Sequence, residues 1–238
     1  PAFNYIKSMF QESFHSQLDE ISNLFARIGI STPDGIWLGV HGVPSGSTFT
    51  NEIDSVVQYL ISKGYSDDFD IQGDDGVYSC DDPDTLIRRF EDFGLNLNLS
   101  KSHISDKYCV YLQNYFSEAY TEGDKLVGIY PTYRALNRLV HQERWANFEE
   151  FDLSGQDYYS IRAISILENC RYHPLHTDLV RFVVENDKYG LQTSETGISN
   201  YVRMMENTNG ISGLISNQYG DEIRGIRNFK TYRLIKEL

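Results

Sequence analysis

Two carboxylates stand side by side at Asp74 and Asp75, within the run Asp70-Ile71-Gln72-Gly73-Asp74-Asp75-Gly76-Val77-Tyr78. The glycines mark a very tight turn, and the flanking residues read as one strand entering it and a second leaving it. Adjacent negative charges repel, and one of the two holds its proton to higher pH unless a cation sits between them. A divalent metal rewards that arrangement, and paired metals are how enzymes run in-line phosphoryl displacement. A Gly-Asp-Asp tripeptide alone is a weak signal, arising by chance in roughly one chain in twenty of this length at ordinary composition. A solvated acidic turn accounts for it equally well.

A second set precedes it: Ser45 and Gly46 in a turn-rich loop, then Thr50 and Asp54 at the start of a helix. Small side chains at 45 and 46 allow close backbone approach. Thr50 and Asp54 are one helical turn apart and share a face. Ser45 and Thr50 would serve equally well to cap the helix at 50–63. Lys101 follows an alternating stretch and is either a proton donor or an exposed strand-end charge, with Lys107 as its rival. Asp68 to Gly73 matches the first half of a calcium-binding EF-hand loop, but its twelfth position is Ser79, where a bidentate Glu is needed. His173 and His176 flank Pro174 without neighbouring ligands and read as ordinary histidines.

These residues must be positioned by the elements around them. Apolar side chains spaced by three and four predict a helix over 3–28, ended by Gly29. A strand is expected at 36–40, a helix at 50–63, and the hairpin at 69–80. Asp82-Pro83 is an N-cap followed by Pro at the first helical position, so a helix runs to about Gly94. Leu95, Leu97 and Leu99 alternate with polar residues and predict a strand. A further hairpin is expected between 108–116 and 125–129, turning near Gly123-Asp124. Helices follow at 132–144, 158–171, 175–187 and 198–206, then a Gly- and Asn-rich stretch and a basic tail. The expected class is α+β: an antiparallel sheet backed by helices over 1–118, and a mostly helical part over 119–238.

The order of these features resembles the viral RNA-dependent RNA polymerases. Residues 42–55 look like their motif B, Gly73-Asp74-Asp75 like motif C, the helix at 83–93 with Lys101 like motif D, and Cys109 to Tyr115 like motif E. The Ser-Gly-Ser-x-Phe-Thr form, with Asp54 where many families have Asn, is most similar to picobirnaviruses and the related partitiviruses. The resemblance is strong over 40–116. It implies a partial polymerase palm followed by a thumb, with Mg²⁺ or Mn²⁺ held by Asp74 (principal) and Asp75 (secondary). It implies that Ser45 and Gly46 contact template and incoming nucleotide, that Thr50 and Asp54 read the ribose 2′-hydroxyl, and that Lys101 protonates pyrophosphate. The implied partners are RNA template and product, nucleoside triphosphates and the missing N-terminal part of the same polymerase, with a viral capsid as a further candidate. The implied location is a virion interior or host cytoplasm.

A departure accompanies it. The further metal-binding Asp of motif A has no counterpart before Ser45, since Asp19 falls within a predicted helix. The chain opens Pro1-Ala2-Phe3 and is expected to begin just after that motif, as a fragment unable to polymerise RNA alone. Charge also cuts against nucleic-acid binding: the net charge is −13, with 7 Lys and Arg against 18 Asp and Glu over 1–118 and 14 against 16 over 119–238. Three cysteines far apart argue against disulfides or a zinc cluster, and no apolar run is long enough to span a bilayer. Rival readings are a reverse-transcriptase-like palm, which usually carries an aromatic residue two before the acidic pair, and a non-enzymatic acidic metal-binding or structural viral module.

Overall fold

The computed structural model describes the chain except residues 40–42, 45–46, 67, 143–146, 210–214, 217–221 and 224–225; for 206–209, 215–216 and 222–223 it describes the backbone alone. Two compact units result, Pro1–Leu112 and Gln113–Leu238. The class is α+β, and the described strands pair only two by two, as short antiparallel ribbons rather than one continuous sheet.

In the first unit the predicted long helix is broken. Helix α1 spans Ala2–Ser8 and α2 spans His15–Phe25, with a short 3-10 turn at Glu12–Phe14 between them. The Ser8 hydroxyl donates to the Tyr5 carbonyl at 2.6 Å, and Gln11 adopts an extended backbone, so the chain folds back. The apolar periodicity is real but shared between two helices, which lets Ala2 and Phe25 pack together on Ile53. Lys7 bridges the pair by its ion contact with Asp19 at 2.6 Å. A ribbon of β1 (Ile30–Thr32) and β2 (Gly35–Trp37) follows, joined by the two-residue turn Pro33-Asp34, both common turn formers.

Helix α3 (Thr50–Ser62) is the axis of this unit. One stripe, Ile53 with Val56 and Val57, faces α1 and α2. Another, Ile61 with Val57, meets Leu86 and Phe90 of α4 (Pro83–Asp92). A third carries the ribbon β3 (Phe69–Gln72) and β4 (Asp75–Tyr78). Helix α4 starts as predicted: the Asp82 carboxylate accepts from the Thr85 amide at 3.2 Å and its hydroxyl at 2.6 Å, which hold it below the usual carboxylate range. Arg89 reaches back to the carbonyls of Ile61 and Lys63, covering the open end of α3.

Residues 95–99 do not form the predicted strand. Asn98 accepts from the Ser100 hydroxyl at 2.7 Å and its carbonyl accepts from the Lys101 amide at 2.9 Å, so local bonds close a turn instead. Of the three leucines only Leu97 packs inward, against the Ile61–Leu86–Phe90 cluster. Strand β5 (Tyr108–Tyr111) completes the unit beside β4.

In the second unit, β6 (Asn114–Ser117) bridges to Ile129 through Tyr115, while β7 (Thr121–Glu122) pairs with β8 (Lys125–Leu126) around Gly123, near the predicted turn. The 108–116 stretch is not one strand, because Leu112 and Gln113 both take left-handed φ, 46° and 65°. Helices α5 (Thr132–Val140), α6 (Gly155–Glu168), α7 (His176–Asn186) and α8 (Glu195–Asn209) follow, then a two-residue ribbon of β9 (Ile215–Ser216) and β10 (Glu222–Ile223). Helix α9 (Lys230–Glu237) lies in the tail where no helix was expected.

Helix α6 organises this unit through its two ends. Near its start, buried Asp157 accepts from the Ser194 amide at 2.6 Å, just before α8. At its end, Glu168, 1% exposed, accepts from the Lys230 and Thr231 amides at 3.1 and 2.9 Å, the open donors of α9. Between them Ile161, Ile164 and Leu167 fill the core with Val180 and Ile235. His176, 2% exposed, bonds Thr231 through Nε2 at 2.9 Å.

Replacing Glu168 with Ala strips two helix donors of their acceptor and is expected to cost about 2–4 kcal/mol, read from urea unfolding. Burial, helped by the Lys230 and His173 charges, pushes His176 down to about 4 from 6.5. The native state therefore refuses a proton that the unfolded chain accepts. The stability contributed by neutral His176 is full above pH 6.5 and falls progressively toward pH 4. Urea midpoints measured across that window should fall less steeply in His176→Gln than in the unaltered chain.

Candidate active site

The β3–β4 turn is two residues long. Gln72 pairs with Asp75, leaving Gly73 and Asp74 as the loop. Gly73 has φ +62°, the left-handed geometry required of the first loop residue in a twist-matched hairpin turn with glycine leading. A Cβ there would lie 2.9 Å from Asn51 Oδ1. Asp74 thus sits at the tip, and Asp75 opens β4.

Three residues of α3 hold this turn. The Ser55 hydroxyl accepts from the Gly73 amide at 2.7 Å and itself donates to the Asn51 carbonyl at 2.6 Å. Gln58 Nε2 donates to the Gly73 carbonyl at 2.6 Å. Gln58 Oε1 accepts from the Tyr78 hydroxyl at 2.6 Å. Burial pushes the Tyr78 phenol well up, so it keeps its proton and remains the donor. That bond passes over Gly76, where a Cβ would come within 2.6 Å of the Tyr78 oxygen. Asn51, Ser55 and Gln58 are spaced by four and three, one polar stripe of α3. The spacing was visible in the sequence; its target was not.

Charge gathers around this clamp. Asp74 and Asp75 are both exposed. Partial burial, then the charge of Asp74, raises Asp75 above the usual carboxylate value. Asp54, on α3, is raised by the same two causes in the same order. Asp54 and the acidic pair are therefore electrostatic neighbours, and no Lys or Arg forms an ion pair with any of the three among the described residues. Hard, uncompensated oxygen donors of this kind suit a divalent cation such as Mg²⁺ or Mn²⁺. Among the described residues no group of three or more His, Cys, Asp or Glu is arranged to hold a metal. Asp74 and Asp75 are the adjacent carboxylates at this tip.

The other predicted residues fall as follows. Thr50 and Asp54 do share α3, and the Thr50 hydroxyl donates to the Pro44 carbonyl at 2.6 Å, tying the loop to the helix; Thr50 does not cap it by its side chain. Ser45 and Gly46 lie outside the described residues. Lys101 is exposed in the Asn98 turn and has no hydrogen bond or ion pair with Asp74 or Asp75 among the described residues. Lys107 is likewise exposed, its amide on the Ser105 hydroxyl at 3.1 Å. The EF-hand alternative fails, because Phe69–Gln72 is a strand paired in a hairpin rather than a loop between helices. His173 Nδ1 accepts from the Leu175 amide at 3.0 Å, and His176 is a core residue bonded to Thr231 through Nε2.

Gly73→Ala should destabilise the first unit by about 1–3 kcal/mol, from left-handed strain plus the Asn51 contact. In the Asn51→Ala background the penalty should shrink, a coupling that a double-mutant cycle in urea would measure. Gln58→Leu should cost about 2–3 kcal/mol, because it strands the Gly73 carbonyl and the Tyr78 hydroxyl together.

A sequence profile of the viral RNA-dependent RNA polymerase family matches residues 2–181. A protein described as a potential RNA-dependent RNA polymerase, from human picobirnavirus (strain Human/Thailand/Hy005102/-), is 32% identical over 160 residues, 63% of this chain and 29% of that protein. The crystal structure of the RNA-dependent RNA polymerase of a human picobirnavirus aligns with a TM-score of 0.77 at 25% identity, over 99% of this chain and 48% of that one. An insertion-loop deletion mutant of such a polymerase aligns at 0.75 and 24% identity, over 99% and 46%. The chain spans about half the length of the solved relatives and under a third of the curated one. Profile, sequence and fold agree: the chain belongs to the viral RNA-dependent RNA polymerase family and is similar to picobirnavirus polymerases.

Proposed function

We propose that this chain carries the metal-binding hairpin and thumb of an RNA-directed RNA polymerase, which joins nucleoside triphosphates to an RNA 3′-hydroxyl during viral genome replication and transcription. The observation that carries the reading is the Gly73-Asp74-Asp75 turn, clamped onto the same helix that bears Thr50 and Asp54. Residues 1–118 are assigned to fingers and palm, and 119–238 to the thumb.

Asp74 and Asp75 would hold Mg²⁺ or Mn²⁺, which when bound supplies charge for the attacking 3′-oxygen and the departing pyrophosphate. The protein's own contribution is positional. Ser55 and Gln58 fix the turn so that both carboxylates are presented without reorganisation. Thr50 and Asp54, one turn apart on α3, would meet a ribose 2′-hydroxyl. Ser45 and Gly46 are assigned to template and incoming nucleotide, and Lys101 to protonation of the pyrophosphate. Asp54 and Asp75 gain from any cation that relieves the Asp74 charge. Asp19 is paired with Lys7 between α1 and α2.

The test is template-directed primer extension. In a full-length polymerase containing this sequence, Asp74→Asn should lower product formation by about two orders of magnitude or more, the scale of losing electrostatic stabilisation of reacting charge. Asp75→Asn should cost less than Asp74→Asn. The 238-residue chain alone should make no template-dependent product with either metal. Full activity of the Asp74→Asn enzyme would sink the assignment.

A further inference from the structure

We propose that Tyr78 is a positioning residue for the acidic pair: its hydroxyl locks the Gln58 side-chain amide in the one orientation that holds the Gly73 carbonyl, and so sets where Asp74 and Asp75 are presented. The consequence in rate rests on the polymerase reading; the lock itself rests on geometry in the first unit.

A side-chain amide carries an acceptor oxygen and a donor nitrogen, and turning it over exchanges them. Buried Gln58 lies between two groups that choose between those orientations. The Gly73 carbonyl can only accept, and it takes Nε2 at 2.6 Å. The Tyr78 hydroxyl donates to Oε1 at 2.6 Å, and burial keeps its proton in place. Turned over, the amide would set its oxygen against the Gly73 carbonyl, two acceptors with no proton between them. Without the Tyr78 hydroxyl, Oε1 loses its donor inside the protein. The amide then gains by rotating toward water, and it releases Gly73 as it does so.

Tyr78 is itself fixed. Its ring meets Phe69 of β3 at 5.9 Å and buried Phe90 of α4 at 6.1 Å between centroids. The ring also crosses residue 76. A Cβ there would come within 2.6 Å of the Tyr78 hydroxyl oxygen, 2.7 Å of its Cε2 and 2.9 Å of Gln58 Oε1. The backbone at Gly76 is ordinary strand, outside the left-handed region. The bond between Tyr78 and Gln58, not backbone strain, is therefore what excludes a side chain after the acidic pair. A line of contacts runs from the α4 core through Phe90, Tyr78 and Gln58 to the backbone of the residue before Asp74.

The test combines primer-extension kinetics of the full-length polymerase with amide hydrogen exchange of the same protein, free of metal and nucleotide. Tyr78→Phe keeps the ring and removes one oxygen. It should lower kcat about tenfold, the scale of a small misplacement of reacting groups, and leave KM for nucleoside triphosphate within about twofold. Exchange over residues 71–76 should quicken at least about threefold. In the Gln58→Leu background there is no amide to orient, and Tyr78→Phe should lower kcat no further. Tyr65→Phe is the control. Tyr65 packs on the same apolar cluster and donates to the Asp82 carbonyl, so its loss should leave kcat and the exchange of 71–76 unchanged. Thermal unfolding confirms that each variant is folded; a purely structural role for Tyr78 would move the melting temperature of both Phe variants and the kcat of neither. Unchanged kcat or unchanged exchange in Tyr78→Phe overturns the proposal. So does an equal rate loss in Tyr65→Phe, or an undiminished loss from Tyr78→Phe in the Gln58→Leu background. If Asp74→Asn abolishes extension while Tyr78→Phe extends normally, only this inference fails. If exchange at 71–76 quickens in Tyr78→Phe while Asp74→Asn extends normally, the polymerase reading fails and the lock on the turn stands.

Discussion

The first unit depends on how the backbone of one glycine is held. Gly73 gives its amide to Ser55 and its carbonyl to Gln58, so both polar groups of a buried turn residue are satisfied by one helix. Without those partners, a two-stranded ribbon of four-residue strands would be marginal in water. With them, the ribbon becomes an extension of α3, and α3 is itself locked by apolar contacts with α1, α2 and α4. The exposed carboxylates at the tip thereby inherit the rigidity of a packed helix. Charge repulsion that would otherwise splay Asp74 and Asp75 is absorbed by hydrogen bonds that neither carboxylate makes.

The second unit solves a parallel problem with buried acids. Asp157 and Glu168 lie near opposite ends of α6, and each accepts amide bonds at the start of a different helix. Their negative charge meets the positive ends of α8 and α9 in a poorly solvated setting, where such contacts are stronger than at the surface. Part of the acidity in this half is therefore internal scaffolding, and it says little about what the surface attracts. That removes some force from the objection that an acidic chain should avoid nucleic acid.

What was legible in the sequence follows the range of the forces involved. The turn at Gly73, the cap at Asp82, and helices α3, α4, α6, α7 and α8 are set by local pattern, and they were readable, some to within a few residues. Three features were not. The break between α1 and α2 hid behind an apolar period that runs through both helices. The alternation at Leu95, Leu97 and Leu99 looked like a strand, but Asn98 closed a turn before any partner could pair with it. Helix α9 starts without a local cap, because its acceptor is Glu168, far away in sequence. At the site, the acidic pair was plain from the residues, whereas Asn51, Ser55 and Gln58 became meaningful only once their target was known. Proximity of Lys101 to the pair is a claim about tertiary structure that no local pattern can carry.

The tie between Thr50 and the Pro44 carbonyl gives α3 a second attachment, one turn before Ser55 takes hold of Gly73. Two hydroxyl groups on one short stretch of α3 therefore moor both the backbone at Pro44 and the glycine that precedes Asp74, so the two segments share a single anchor.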